Sequence, residues 1–165
     1  MTEHPSSNST TIRPGEKAID HDASRDTFVQ FIGRIHTPFR DRSDCPRQGD
    51  VENGPVCTLE IDPAWAEALT GIGHNEQLEV LYWLDRARRD LVVQNPRHAK
   101  EPAGTFSLRS PNRPNPVGVS VVQLLSVEGC TLKVRGLDCL DGTPLIDIKP
   151  ARSSFLSNIR ENAPE

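Results

Sequence analysis

The stretch VGVSVVQLLSVEGCTLKVRGL, residues 117–137, contains two apolar runs separated by a turn. Residues 117–127 and 130–137 are rich in valine and leucine, which favour β-strands. Glu128-Gly129 stands between the two runs as a two-residue connection, which is the signal of a tight hairpin. The sequence therefore predicts an antiparallel strand pair here.

Similar short apolar runs, bounded by turn residues, lie on both sides of this hairpin. Together with the hairpin they give seven predicted strands: residues 28–35, 56–61, 77–84, 104–108, 117–127, 130–137 and 145–148. Strands of this length and number predict an all-β fold, either a barrel or a sandwich.

One short helix is predicted between the second and third strands. Asp62 can cap it, Pro63 suits its first position, and Gly71 offers a left-handed stop. Trp65 and Leu69 are four residues apart and are expected to share its buried face. Gly71-Ile72-Gly73 follows a helix rather than a strand and lacks a later glycine, so it does not indicate a nucleotide-binding loop.

The composition indicates a soluble chain with one folded domain. Its 165 residues are 35% hydrophobic and 25% charged, and its first 20 residues lack an apolar segment. We expect a flexible tail at 1–27, a β-barrel domain at 28–152, a C-terminal tail at 153–165, no membrane span and a cytoplasmic location. The four cysteines show neither metal-ligand nor Cys-x-x-Cys spacing, so we expect structural thiols and no metal site.

The formal net charge of -4 argues mildly against a simple nucleic-acid binder. The cations nevertheless form two clusters, where phosphate could bind. The alternative for such a cluster is a solvated face. The members of the clusters are Arg86, Arg88, Arg89, Arg97, Arg109 and Arg113.

Two segments of the second half carry residues that packing alone does not require. The first is RSPNRPNPVG at 109–118, in which three prolines stiffen a loop that bears two arginines. The second is LDCLDGTPLIDIKP at 137–150, which combines strong turn residues with a strand-like alternation. Both segments lie beside predicted strands, so two loops could face one ligand.

These two segments resemble the TrmO family of tRNA methyltransferases, also called TsaA-like or YaeB-like proteins. The family's first block reads Arg-Ser, two variable residues, Arg-Pro-Asn-Pro, an apolar residue and Gly. Its second reads Leu-Asp, two variable residues, Asp-Gly-Thr-Pro, two variable residues and Asp-Ile-Lys-Pro. Residues 33–39 and 46–49 resemble the family's first strand and the loop after it, so the resemblance covers about 28–150.

The resemblance implies a small antiparallel barrel that forms a homodimer and binds S-adenosylmethionine. The implied reaction is N6-methylation of threonylcarbamoyladenosine at position 37 of tRNA. Many family members have a further domain after the barrel, and only 153–165 follow here, so the contacts of that domain with RNA are expected to be missing or to come from the dimer partner. A methyltransferase with another acceptor, or a non-catalytic module that binds the cofactor or RNA, remains an alternative.

Carried over residue by residue, the resemblance implies a cofactor site and an RNA-contacting pair. Asp85 and Arg86 stand where many members have His-Gln, which is a departure from the family pattern. No catalytic side chain is identified. The cofactor residues are Arg47, Gln48, Gly49, Asp85, Arg86, Arg109, Val119, Gly136, Leu137 and Asp138, and the RNA residues are Arg86 and Arg113.

Several of these residues also have a purely structural interpretation. Arg113 could brace the proline-rich loop against a carbonyl group, and Asp138 could cap its own turn. Asp141 and Asp147 are expected to fix the loop and the strand rather than to contact a ligand.

Overall fold

The computed structural model describes residues 12–18, 28–96 and 99–152, and its regular structure is almost entirely β. None of the helices in this part of the chain is long and apolar enough to cross a membrane. The described residues form nine strands: β1 Lys17–Ala18, β2 Gly33–His36, β3 Val56–Ile61, β4 Gln77–Trp83, β5 Leu91–Gln94, β6 Ala103–Gly104, β7 Val117–Glu128, β8 Thr131–Arg135 and β9 Thr143–Pro150.

Six strands close into a barrel in the order β2-β3-β8-β7-β4-β9. The pairs β2–β3, β3–β8, β7–β8 and β4–β9 are antiparallel, and the antiparallel pairing of β9 with β2 closes the barrel. Buried and more exposed residues alternate along β3, β4 and β8, so one side of each strand faces the barrel interior. The barrel core contains Ile35, Leu59, Leu78, Val80, Val122, Leu132, Val134 and Leu145.

The antiparallel barrel confirms the predicted fold class, and six of the seven predicted strands form it. The β7–β8 hairpin is confirmed as well, with its turn one residue later than predicted. Glu128 pairs with Thr131, so Gly129-Cys130 is the connection, and Gly129 takes a φ of 58°. The predicted strand at 28–35 begins only at Gly33, and Phe28, which precedes it, is exposed.

The predicted helix is present at Pro63–Leu69, but it is a 3₁₀ helix and none of its residues is buried. Trp65 and Leu69 are therefore only half-buried, and the predicted buried face is wrong, because a 3₁₀ helix has three residues per turn and positions four apart do not lie one above the other. Asp62 precedes the helix without a side-chain capping bond. Gly71 has the predicted left-handed conformation, with a φ of 81°.

The chain divides into two compact units. The barrel unit consists of Val29–Trp83 and the chain from Gly118 onward, and the smaller unit consists of the chain up to Phe28 and of Leu84–Val117. The smaller unit contains a three-stranded sheet in the order β1-β5-β6. Segment 84–117 thus forms part of a second unit, where the sequence predicts one barrel domain.

Two sequence predictions are corrected in the smaller unit. The strand predicted at 104–108 is the two-residue β6 followed by a 3₁₀ turn at Thr105–Ser107, and β5 was not predicted. Within the predicted N-terminal tail, residues 12–18 include β1, which pairs with β5. Residues 1–11 and 19–27, and the C-terminal tail predicted at 153–165, lie outside the described residues.

Candidate functional site

The carboxylate of Asp138 lies at the centre of a hydrogen-bonded group in the barrel unit. Its Oδ1 accepts bonds from Tyr82 Oη at 2.7 Å and from Ser120 Oγ at 3.0 Å, and the two hydroxyl oxygens lie 2.8 Å apart. Tyr82 and Ser120 are 4% and 9% exposed. The hydroxyl groups of Tyr82 and Ser120 have one proton each for these three contacts, so only two of the three are hydrogen bonds at any moment. Both hydroxyl groups therefore hold Asp138 in one orientation.

The surroundings of Tyr82 keep its hydroxyl protonated. Burial raises the pKa of Tyr82 far above its ordinary value, and the nearby carboxylate of Asp138 raises it further. Tyr82 thus remains a neutral donor. Asp138 Oδ2 forms no hydrogen bond with any residue in the described part of the chain, so one carboxylate oxygen is held by the protein and the other is available to a ligand.

The local sequence explains why these groups meet. A side chain at Gly118 on β7 would collide with the Tyr82 ring, so glycine allows the ring to lie against the backbone. Leu137 and Cys139, on either side of Asp138, are 1% and 2% exposed. They anchor the segment in the core and leave the half-buried Asp138 between them.

The early loop, residues 46–53 between β2 and β3, approaches the chain around Asp138 where Gly49 meets Gly136. A Cβ on Gly49 would overlap the Gly136 carbonyl group, so the two backbones are in direct contact. Gly136 has a φ of 114°, a conformation that side chains disfavour, and a Cβ there would lie 2.8 Å from Val51 and 3.0 Å from the Val121 carbonyl oxygen. Glycine at both positions thus brings the early loop, β7 and the Asp138 segment together.

Further bonds fix the rest of the early loop. Asp50 Oδ1 accepts from the backbone N–H groups of Glu52 and Asn53, both at 2.9 Å, and these bonds lower the pKa of Asp50. Arg135 Nη1 donates to the Glu52 carbonyl oxygen at 3.0 Å. The loop is therefore held against the end of β8, while Arg47 and Gln48 within it are exposed.

Asp141 holds the turn that follows Asp138 by two bonds, in line with the structural role considered for it. Its Oδ1 accepts from the Thr37 N–H at 3.2 Å, and its Oδ2 pairs with Arg40 at 2.6 Å. Thr37 Oγ1 in turn donates to the Cys139 carbonyl oxygen at 2.9 Å. Cys139 and Asp141 are thereby tied to the chain that follows β2.

In the smaller unit, the proline-rich loop is anchored by side chains from β5 and the chain before it. Gln94 Nε2 donates to the Asn112 carbonyl oxygen at 2.6 Å, and Asn112 Oδ1 accepts from the Arg88 N–H at 3.1 Å. Arg89 Nε donates to the Pro114 carbonyl oxygen at 2.6 Å. The loop is thus stiffened by its contacts as well as by its prolines.

The arginines of the two clusters differ in their contacts. Arg113 donates to the carbonyl oxygens of Leu108 and Ser110 at 3.2 and 3.4 Å, which is the bracing role considered for it. Arg88 forms a 2.6 Å ion pair with Asp90. Within the part of the chain that the structure describes, the exposed Arg86 and Arg109 form no hydrogen bond or ion pair. Arg97 lies outside it.

The structure places the predicted site residues in both units. Asp85, Arg86, Arg109 and Arg113 belong to the smaller unit. Leu137 is buried in the core at 1% exposure, and Gly136 before it is buried as well. Val119 is 47% exposed on β7, one residue before Ser120. The members in the barrel unit are Arg47, Gln48, Gly49, Val119, Gly136, Leu137 and Asp138.

Sequence reasoning missed Tyr82 and Ser120. The available signal was a polar residue at a core-facing position, since both alternate with apolar neighbours in predicted strands. Burial raises the pKa of the Cys57 and Cys139 thiols to about 11 and about 12, as expected of unreactive structural thiols. No group of three or more His, Cys, Asp or Glu residues suited to a metal ion occurs among the described residues.

Residues 34–155 match the family model described as the tRNA-methyltransferase O N-terminal domain. Among curated proteins, the chain is 52% identical over 145 residues to the "Probable S-adenosyl-L-methionine-binding protein VirR" of Rhizobium radiobacter, covering 88% of this chain and 82% of that protein. It is 45% identical over 122 residues to an "S-adenosyl-L-methionine-binding protein" of Archaeoglobus fulgidus, covering 74% of this chain and 87% of that protein.

The chain is also similar to solved structures of TrmO. The chain superimposes on TrmO from Pseudomonas aeruginosa with a TM-score of 0.66 at 33% identity, covering 79% of this chain and 58% of that one. A second TrmO structure matches with a TM-score of 0.67 at 30% identity, covering 86% of this chain and 64% of that one. The chain thus matches less than two thirds of each of these solved chains.

Proposed function

This chain belongs to the tRNA-methyltransferase O family, and from that premise we propose that it is an S-adenosylmethionine-dependent methyltransferase acting on tRNA. We further propose S-adenosylmethionine as the methyl donor, tRNA as the methyl acceptor and a homodimer as the assembly. The observation that supports it most strongly is the orientation of Asp138, because a carboxylate fixed at one oxygen and available at the other suits a hydroxyl-bearing ligand.

The residues of the barrel unit fit the cofactor. Asp138 Oδ2 can accept a hydrogen bond from a ribose hydroxyl, and the Tyr82 and Ser120 hydroxyls hold it for that contact. Gly49 and Gly136 bring the backbone of the early loop into direct contact with the chain that leads into Asp138, next to this carboxylate. S-adenosylmethionine, when bound, supplies a methyl group on a positively charged sulfur. The names of the Rhizobium radiobacter and Archaeoglobus fulgidus relatives support this cofactor.

The remaining cofactor residues have less specific roles. Arg47, Gln48 and the backbone near Val119 would line the ligand, and Arg109 would pair with the cofactor carboxylate or with a phosphate. Methyl transfer is an in-line displacement, so these side chains need to align two reactants and do not need to provide a nucleophile. Asp85 and Arg86, which replace the family's His-Gln, would then adjust the acceptor side.

The proposed acceptor is N6 of threonylcarbamoyladenosine at position 37 of tRNA. The family description supports a tRNA substrate, and the exposed Arg86 and Arg109 offer cations to phosphate. We propose RNA contact for Arg113 as well, through the guanidinium nitrogens that do not brace its loop. A homodimer in the cytoplasm is the proposed working form.

Methyl transfer can be tested directly. Purified protein is incubated with methyl-labelled S-adenosylmethionine and with tRNA that contains or lacks the threonylcarbamoyl group, and label in the RNA is counted. We expect label only in the modified tRNA. Label in unmodified tRNA alone would refute the proposed acceptor and leave a methyltransferase with another target.

A binding measurement separates the enzyme from a binding module. The names of several relatives mention S-adenosylmethionine binding without a reaction. If calorimetry shows that the cofactor binds while no RNA acquires label, the enzymatic proposal fails and a non-catalytic binding module remains.

A further inference from the structure

Phe106 in the smaller unit is 81% exposed. It occupies the middle of the 3₁₀ turn Thr105–Ser107, directly after β6. Single exposed apolar residues are common on protein surfaces and need no explanation by themselves. Phe106 differs in that its turn also carries Thr105, a buried polar residue that is hydrogen-bonded to the buried Gln94.

The turn that carries Phe106 is held by a buried network. Thr105 Oγ1 donates to the Leu91 carbonyl oxygen at 2.7 Å, and Gln94 Nε2 donates to Thr105 Oγ1 at 2.9 Å. Gln94 also donates to the Asn112 carbonyl oxygen at 2.6 Å, and both Gln94 and Thr105 are 3% exposed. The network ties the Phe106 turn and the proline-rich loop to β5. The ring is therefore presented on a stiff support.

An unpaired cation follows three residues later. The Cα atoms of Phe106 and Arg109 can lie at most about 10 Å apart, because three residues of fully extended chain span no more than that. Arg109 is exposed and has no hydrogen-bond or ion-pair partner within the described chain, while Arg113 and Arg88 are bonded to protein groups. The smaller unit thus carries an exposed aromatic ring and an exposed guanidinium group without a partner in the described chain, three residues apart in sequence.

We propose that Phe106 stacks on an unpaired nucleobase of the RNA substrate, with Arg109 contacting the adjacent phosphate. Aromatic side chains that stack bases, together with cations that follow the backbone, are the usual means of binding single-stranded nucleic acid. Small-molecule sites enclose most of their ligand, whereas an 81% exposed ring on a turn suits a base that is presented from outside. The inference rests on the proposed function and locates part of its RNA contact.

The test compares Phe106→Ala with Phe106→Tyr, which keeps a stacking ring. Binding of a fluorescent anticodon stem-loop and of a blunt RNA duplex is measured by anisotropy, cofactor binding by calorimetry, and molecular mass by light scattering. Val92→Ala serves as the matched control, because Val92 is also an exposed apolar residue of the smaller unit, at 37%.

We expect Phe106→Ala to weaken stem-loop binding by about 5- to 140-fold, the loss of one base stack. Phe106→Tyr and Val92→Ala should stay within about twofold of the parent chain. Binding of the duplex, binding of the cofactor and the molecular mass should not change. Arg109→Gln should weaken stem-loop binding and reduce its salt slope by about 0.7.

Five different results would overturn the inference. Unchanged stem-loop binding by Phe106→Ala would show that the ring is not a stacking platform. A loss of cofactor affinity alone would assign Phe106 to the cofactor, and a change in mass would assign it to a subunit interface. If the parent chain methylates tRNA and Phe106→Ala does so equally well, only this inference fails. If the parent chain binds no RNA at all, the proposed function fails with it.

Discussion

Asp138→Asn is the most informative single substitution, because it changes the charge of the central carboxylate and little else. Asparagine keeps one carbonyl oxygen, which can take the place of Oδ1 and accept from Tyr82 and Ser120. The amide nitrogen then occupies the place of Oδ2. A charged acceptor thus becomes a neutral donor at the atom proposed to meet the ribose.

The expected magnitudes follow from that exchange. A hydrogen bond to a charged group contributes about 1.5–3 kcal/mol, so losing it should weaken S-adenosylmethionine binding by about 12- to 140-fold. The effect on folding should be smaller, because both hydroxyl groups keep an acceptor. If the weaker internal bonds cost about 1 kcal/mol, a chain of this size loses about 2–4 °C in Tm.

The assay is titration calorimetry with S-adenosylmethionine, accompanied by thermal melting of the same samples. Asp141→Asn is the matched control, since Asp141 lies in the same loop but has both oxygens bonded to protein groups. The control should lower Tm without a comparable loss of affinity. Equal affinity losses in the two variants, or a lower Tm with intact binding in Asp138→Asn, would refute the role assigned to Asp138.

Two further substitutions test the supporting structure. Gly49→Ala would place a methyl group on the Gly136 carbonyl group, so we expect a lower Tm and weaker cofactor binding. In the control Gly104→Ala the methyl group enters open space and should change neither quantity. Equal behaviour of the two variants would contradict the close approach of Gly49 to Gly136. The pKa of Glu16 is lowered by its hydrogen bond with Arg13, so the stability it contributes is present above about pH 4.5 and is lost as the pH falls through the folded-state pKa. The loss of Tm caused by Glu16→Gln should therefore be largest at pH 7 and become smaller as the pH falls below about 4.5, and an equal loss at every pH would show that the charge is not involved.

Features of the fold with a local cause could be predicted from sequence. The strand β3 has the predicted bounds, because an alternating apolar run is enclosed by turn residues on both sides. The β7–β8 hairpin is predicted correctly because a two-residue turn joins two such runs. The turn is Gly129-Cys130 rather than the predicted Glu128-Gly129, because Glu128 still pairs with Thr131. Gly129, which takes positive φ, is therefore the first residue of the turn and not the second.

Elements that depend on distant partners could not be predicted in the same way. The strand β1 has only two residues, and nothing in its own sequence indicates a strand. It is recognised only by its pairing with β5. The hydroxyl groups of Tyr82 and Ser120 lie 56 and 18 residues from Asp138 along the chain. Motif spacing marks Asp138 as unusual, but only the closed barrel shows what holds it.

The arginine clusters also show what sequence alone cannot reveal, namely which arginines already have partners in the protein. Sequence shows Arg88, Arg109 and Arg113 as equivalent cations near a loop, and any of them could bind phosphate. In the structure Arg88 is neutralised by Asp90, and Arg113 donates to carbonyl oxygens of its own loop, so contact with RNA would compete with bonds that already exist. Arg109 has no such competing contact in the described chain, and binding an anion there breaks no protein bond. Of the three, Arg109 should therefore give the largest loss of RNA affinity for the smallest loss of stability.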